Sequence, residues 1–104
     1  MLIMTTWKTR PNTPDAAKRM MAIWGQQLER NAKDPAWKEL WFYLHTDGSG
    51  GASLAEVPDT GVAGQRAMQM CMELGEFLEI DMKPVLTQEQ AMPAIIAAQA
   101  TIAG

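Results

Sequence analysis

Trp37-Lys38-Glu39-Leu40-Trp41-Phe42-Tyr43-Leu44-His45 runs straight into Thr46-Asp47-Gly48-Ser49-Gly50-Gly51, and then into Ala52-Ser53-Leu54-Ala55-Glu56-Val57. The first segment is dense in the aromatic residues that favour strands. The second is a turn, because Asp and Ser bond their own backbone and Gly bends freely. The third is a shorter apolar arm. Residues 37–57 therefore read as a β-hairpin.

Working outward, Leu2 to Thr9 reads as a strand closed by Arg10-Pro11-Asn12. Thr13 before Pro14 is an N-cap with Pro at the first helical position. The helix is expected to run to about Ala32, where Asp34-Pro35 follows, with an apolar stripe of Ala17, Met20, Met21, Trp24 and Leu28. Pro58-Asp59-Thr60-Gly61 ends the hairpin. A second helix is predicted over 61–76, with Ala63, Ala67, Met70, Cys71, Leu74 and Phe77 on its stripe. Mid-helix on that stripe, Cys71 is expected to be a buried small hydrophobe.

A strand over 78–86 alternates Ile80, Met82, Pro84 and Leu86 with Glu79, Asp81 and Lys83. Pro84 cannot donate to a ladder, which places this strand at an edge. Thr87-Gln88-Glu89-Gln90 has the form of a capping box. Residues 91–104 follow as a helical tail, weakened by Pro93.

The order strand, helix, strand, strand, helix, strand is the ferredoxin-like split β-α-β plan. The expected fold is α+β, a domain over 1–90 with an antiparallel four-stranded sheet, plus the tail. Right-handed crossovers put both helices on one sheet face. Strict alternation along residues 37–45 then gives that face Leu40, Phe42 and Leu44. The open face takes Trp37, Glu39, Trp41, Tyr43 and His45, joined by Asp81 and Lys83. Trp7 is assigned to the same open face, although a bulge would reverse such an assignment. Large aromatics on an uncovered face mark an interface or a binding site, so pairing with a second copy is expected.

Composition narrows the functional classes. A chain of 104 residues with 47% hydrophobic and 20% charged residues fits one globular domain. The net charge is -3 and the basic residues are scattered, which argues against a nucleic-acid surface. Met1 to Met4 is too short for a signal core or a span, so no membrane partner is expected. One Cys allows no internal disulfide, which suits a cytoplasmic protein. One His and one Cys cannot form the usual zinc sites, and the glycine-rich turn lacks the Gly-Lys-Ser/Thr ending of a phosphate loop. No metal and no cofactor are expected.

Several stretches carry a family resemblance: Met1-Leu2-Ile3-Met4 with Trp7, Gly50-Gly51-Ala52-Ser53 leading to Glu56-Val57, and Lys83-Pro84-Val85-Leu86. Over roughly residues 1–90 the chain resembles a small, little-characterised bacterial family similar to the dimeric α/β-barrel superfamily. That superfamily includes cofactor-free antibiotic-biosynthesis monooxygenases, muconolactone-isomerase-like enzymes, haem-degrading enzymes and stress proteins. The resemblance implies a homodimer with a cavity, either between sheet and helices or within a sheet-sheet barrel. It implies no single reaction.

The candidate site is the aromatic face. His45 is the one histidine and the candidate general base, with Tyr43 and Asp81 as further candidate catalytic groups. Trp7 and Trp41 would stack on a planar ligand, and Lys83 would bind an anion or a carbonyl oxygen. The expected function is a cofactor-free small-molecule enzyme of specialised metabolism. The alternative is a non-catalytic homodimer that binds a ligand or serves as a stress-related accessory protein. The sequence leaves the choice between catalyst and binder open.

Overall fold

The computed structural model describes all 104 residues. Its elements are β1 (Leu2–Thr9), α1 (Pro14–Lys33), β2 (Lys38–Leu44), β3 (Gly50–Glu56), α2 (Thr60–Leu74), β4 (Leu78–Val85) and α3 (Gln88–Ala103). The strands form one antiparallel sheet in the order β2-β3-β1-β4. That arrangement is consistent with a ferredoxin-like fold. β4 lies at an edge, where the missing N–H of Pro84 is tolerated.

Local chemistry sets the boundaries. The Thr13 side chain accepts from the Ala16 N–H at 3.2 Å, and Pro14 opens α1. Asp59 caps α2 through the Val62 N–H at 2.9 Å. Thr87 and Gln90 form a reciprocal capping box at the start of α3. Gly48 takes a φ of 75° in the turn between β2 and β3, the one left-handed residue of the chain.

One face of the sheet is covered by α1 and α2. On β1 it presents Ile3, Thr5 and Trp7, exposed by only 2%, 3% and 7%. The core on this face is split in two. Ile3, Trp37, Ala55, Val57 and Ala63 pack at one end, and Trp7, Ala16, Leu74, Phe77 and Leu78 at the other. Between them lie Thr5 and Ser53, which are register partners in the middle of the sheet.

Several sequence expectations are corrected. β2 carries a register shift: Glu39 pairs with Ala55 and Trp41 with Leu54, so Leu40 has no partner. This one-residue bulge reverses the alternation within the strand. Upstream of it, Trp37 and Glu39 turn towards the helices rather than the open face. Downstream, Phe42 and Leu44 face the helices, and Trp41 and Tyr43 face away. Trp7 also lies on the helix-covered face, where its ring meets Trp24 and Phe42. The buried stripe of α1 is rotated from the expected one. Ala16 and Gln27 are buried, Met20, Ile23 and Trp24 pack on the core, and Met21 and Leu28 are exposed. Cys71 is exposed, because the inward residues of α2 are Ala63, Met70 and Leu74.

Polar ties lock the helices together. Glu73 on α2 accepts from Gln27 Nε2 at 2.9 Å and from Arg30 Nη1 at 3.0 Å, both on α1. Those contacts, Arg30 first, hold the Glu73 carboxyl below its ordinary range. Arg66 on α2 pairs with Asp34 and lies over the Trp37 ring. α3 is different. It buries no residue and leaves Ile95, Ile96 and Ile102 exposed.

Candidate functional site

The gap between the two core clusters is a cavity of about 430 Å3, lined by the sheet and both covering helices and open to solvent on one side. Its floor is Thr5 and Ser53. Trp7, Phe42 and Ile80 from the sheet, Trp24 and Leu28 from α1, and Met70 and Leu74 from α2 form apolar walls. Trp37 and Glu39 come from the start of β2, and Gln27 and Asn31 from α1. Three of the four tryptophans therefore line one space.

The aromatic wall is packed. Trp7 and Phe42 have ring centroids 5.2 Å apart, and Trp24 meets Trp7 edge-on at 5.7 Å. Such pairs are each worth about 0.5–1.5 kcal/mol beyond their buried area, so the wall is preorganised. Gly51 makes room for it: a Cβ there would collide with the Tyr43 carbonyl and with the Trp7 ring.

Glu39 is the carboxylate of the cavity lining, and it is exposed to solvent. Its Oε2 accepts from Trp37 Nε1 at 2.8 Å. Desolvation by the apolar surroundings pushes its carboxyl above the ordinary range, and the Trp37 hydrogen bond offsets only part of that. Gln27 is buried, and its Nε2 is committed to Glu73, which leaves its Oε1 as the free polar atom.

The six candidates read from the sequence fall in separate places. Trp7 is in the cavity wall. Trp41 and Tyr43 stack with centroids 5.6 Å apart on the open face of β2. Asp81 and Lys83 pair with each other at 3.1 Å on the open face of β4, and both side chains are more than half exposed. β2 and β4 are opposite edges of the sheet, three strand spacings or roughly 14 Å apart. His45 lies just past β2 in the exposed turn, its Nδ1 3.1 Å from Ser49 Oγ. In a single chain these groups do not converge. No three His, Cys, Asp or Glu side chains cluster as a metal site would require.

The sequence reading missed Glu39, Thr5, Ser53, Gln27 and Trp24 as one site. A signal was present for two of them: Thr5 and Ser53 are small polar residues in the middle of apolar alternation. Glu39 gave no such signal, because the bulge that turns it inward is silent in composition.

The chain is of the α+β class, with a four-stranded antiparallel sheet covered on one face by two helices. More narrowly, it is a member of the DUF3303 family, a domain of unknown function whose model matches residues 1–99. The match runs past residue 90 into α3, further than the sequence resemblance reached. Among solved structures, the chain is similar to a conserved protein from Methanosarcina mazei Go1. The two share 17% identity over 83% of this chain and 95% of that one, with a TM-score of 0.53. At that identity the likeness shows the fold alone. No curated protein matches. No helix is long and apolar enough to cross a membrane.

Proposed function

We propose that the protein binds a compact, mostly apolar small molecule in the cavity between the sheet and helices α1 and α2. The observation that carries this reading is the cavity itself. Its volume of about 430 Å3 falls within the range of small-molecule sites, and a few polar groups stand among aromatic walls. A packed core would close such a space, since unfilled volume lowers stability.

An enzyme without a cofactor, as in specialised metabolism, is the narrower form of this proposal. Its proton-transfer group would be Glu39, the one carboxyl in the cavity lining, which desolvation raises above its ordinary range towards the pH at which a base works best. Under the same reading His45, Tyr43 and Asp81 would act only across a subunit boundary.

A second observation supports a homodimer of the dimeric α/β-barrel kind. The open face carries Leu2, Met4, Leu54, Val85, Trp41 and Tyr43 with no element of the chain over them, and α3 is an apolar helix with a single charged residue, Glu89. An isolated helix of this length is marginal in water. A two-fold pairing would cover both surfaces at once.

The cavity reading is tested by tryptophan fluorescence during titration with small aromatic compounds. Saturable quenching is expected, and Ser53→Phe, which fills the floor, abolishes it while the circular dichroism spectrum is kept. Quenching that survives Ser53→Phe would place the ligand elsewhere. The dimer is tested by sedimentation at micromolar concentration, where Leu54→Arg should give a folded monomer. A wild-type chain that sediments as a monomer would remove it.

A further inference from the structure

We propose that the cavity selects a compact aromatic molecule whose head group donates a hydrogen bond, a hydroxyl or a protonated amine, to the Glu39 carboxylate. This rests on the reading that the cavity takes a small molecule. It adds which end of that molecule is recognised, and by what.

Glu39 is the one carboxylate of the lining; Asn31, Thr5 and Ser53 can donate as well as accept, and Lys38, also in the lining, is in register with Glu56 on the open face of β2. Glu39 Oε2 is held by the Trp37 indole N–H at 2.8 Å, and that is the one hydrogen bond the carboxylate makes. Glu39 belongs to none of the four ion pairs of the chain. Its Oε1 is therefore an acceptor without a protein donor beside an apolar space. An ionised carboxylate accepts only, and Glu39 is exposed in the unliganded chain, where water meets Oε1. A ligand that covers this end of the cavity excludes that water: one that brings a donor replaces its hydrogen bond, one without a donor leaves the acceptor unpaired, and one that brings a second carboxylate or a phosphate adds like-charge repulsion. Gln27 acts in the same sense. Its amide nitrogen is spent on Glu73 at 2.9 Å, so its oxygen is the group left to the cavity.

Burial orders the ligand. Glu39, from the start of β2, is exposed, and Trp7, which is 7% exposed, meets Trp24 of α1 and Phe42 of β2. The aromatic body of the ligand lies inward and its donor head points outward. The indole that orients Glu39 is itself held. Trp37 is 5% exposed, with Arg66 over its ring at 5.9 Å, and Arg66 is tied to Asp34. The carboxylate is thus preorganised by a chain of contacts from α2 and the α1–β2 turn.

The test is an NMR titration of the 15N-labelled full-length chain, following its four tryptophan indole N–H signals. The probes are toluene, benzyl alcohol, benzylamine and benzoate, which share a ring and differ in the head. A hydrogen bond to a charged acceptor predicts that at least one of the alcohol and the amine binds about ten-fold or more tighter than toluene, with benzoate weakest. The Trp37 signal should move most, and Trp41, on the open face, least. Glu39→Leu should bring the ratio of donor-probe to toluene affinity towards one. Glu39→Gln separates the two heads: the amide oxygen stays with the Trp37 N–H and its NH2 faces the ligand, so an alcohol, whose oxygen accepts, keeps part of its advantage and an ammonium, which only donates, loses it. If toluene binds in the cavity and neither donor probe binds more tightly, the inference is overturned and the cavity reading stands. If the advantage survives Glu39→Leu, the assignment to Glu39 is overturned. If no probe, toluene included, shifts Trp7, Trp24 or Trp37, both readings fall together.

Discussion

Along β1, Ile3, Thr5 and Trp7 are almost wholly buried, and Leu2, Met4, Thr6 and Lys8 on the same strand are half-buried or exposed. The covered face works through shape: two packed clusters leave a bounded space lined by rings and a few polar atoms. The open face has rows instead of a space. Trp41, Leu54, Met4 and Lys83 lie side by side across the four strands, as do Tyr43, Ala52, Thr6 and Asp81. Each row runs from an aromatic residue at one edge to a charged one at the other. The difference teaches where recognition is built into one chain. The covered face is complete in a single subunit, and the open face becomes a surface of fixed chemistry only when something covers it.

That contrast can be broken most forcefully at Phe77, which is 1% exposed in the core of the covered face. Phe77→Ala is expected to destabilise the fold by about 3–5 kcal/mol, read from urea unfolding. A loss below about 1 kcal/mol would mean that this end of the core is loosely packed. Gly51→Ala comes next. Its methyl group would meet the Tyr43 carbonyl, which cannot move away, as well as the Trp7 ring. A cost of roughly 1–3 kcal/mol is expected, together with a changed near-ultraviolet signal from the displaced indole.

A smaller effect follows from Glu39. Its carboxyl is raised above its ordinary value in the folded chain, so the folded state holds that proton more firmly than the unfolded state. Stability is therefore lost as pH rises from the ordinary carboxylate value through the folded one. Glu39→Gln removes this loss. Its stability relative to wild type should improve as pH rises above the ordinary glutamate value of 4.5. Glu73, whose carboxyl is lowered, should behave oppositely: its contribution is present above the ordinary value and fades as pH falls through the folded one. Unfolding curves at a series of pH values above 4.5 decide the sign for Glu39, and a series below 4.5 decides it for Glu73. The smallest effect belongs to the open face. Tyr43→Ala, at a residue 69% exposed, should change the stability of a single subunit by no more than about 0.5 kcal/mol. A larger loss would show that the open face already carries part of the fold.

Much of the architecture was legible because turns and caps are local. Thr13-Pro14, the Asp47-Gly48 turn and the Thr87–Gln90 box each place an element boundary through chemistry contained in a few residues. Alternation in β4 was legible for the same reason, since Glu79, Asp81 and Lys83 face away from Ile80 and Met82 as their charges require. The site was not legible, because it depends on phase. Leu40 is apolar and fits the alternation of the strand equally well whether paired or extruded. Only its partner strand shows that it has been extruded, and the faces of Trp37 and Glu39 depend on that. The α1 stripe failed in a similar way. Gln27 reads as a surface residue until Glu73, 46 positions later, supplies its partner.

The extruded Leu40 has a consequence for how such a protein can change. One unpaired residue decides which side of the sheet receives the upstream half of β2. Deleting it would leave an uninterrupted alternation with Glu39 still opposite Ala55 and still facing the helices. Drawing Leu40 into the ladder instead would slide the upstream half of β2 by one position and turn Trp37 and Glu39 to the outside. One chain, with every side chain retained, thus has two strand registers, and they differ in whether a carboxylate lines the cavity.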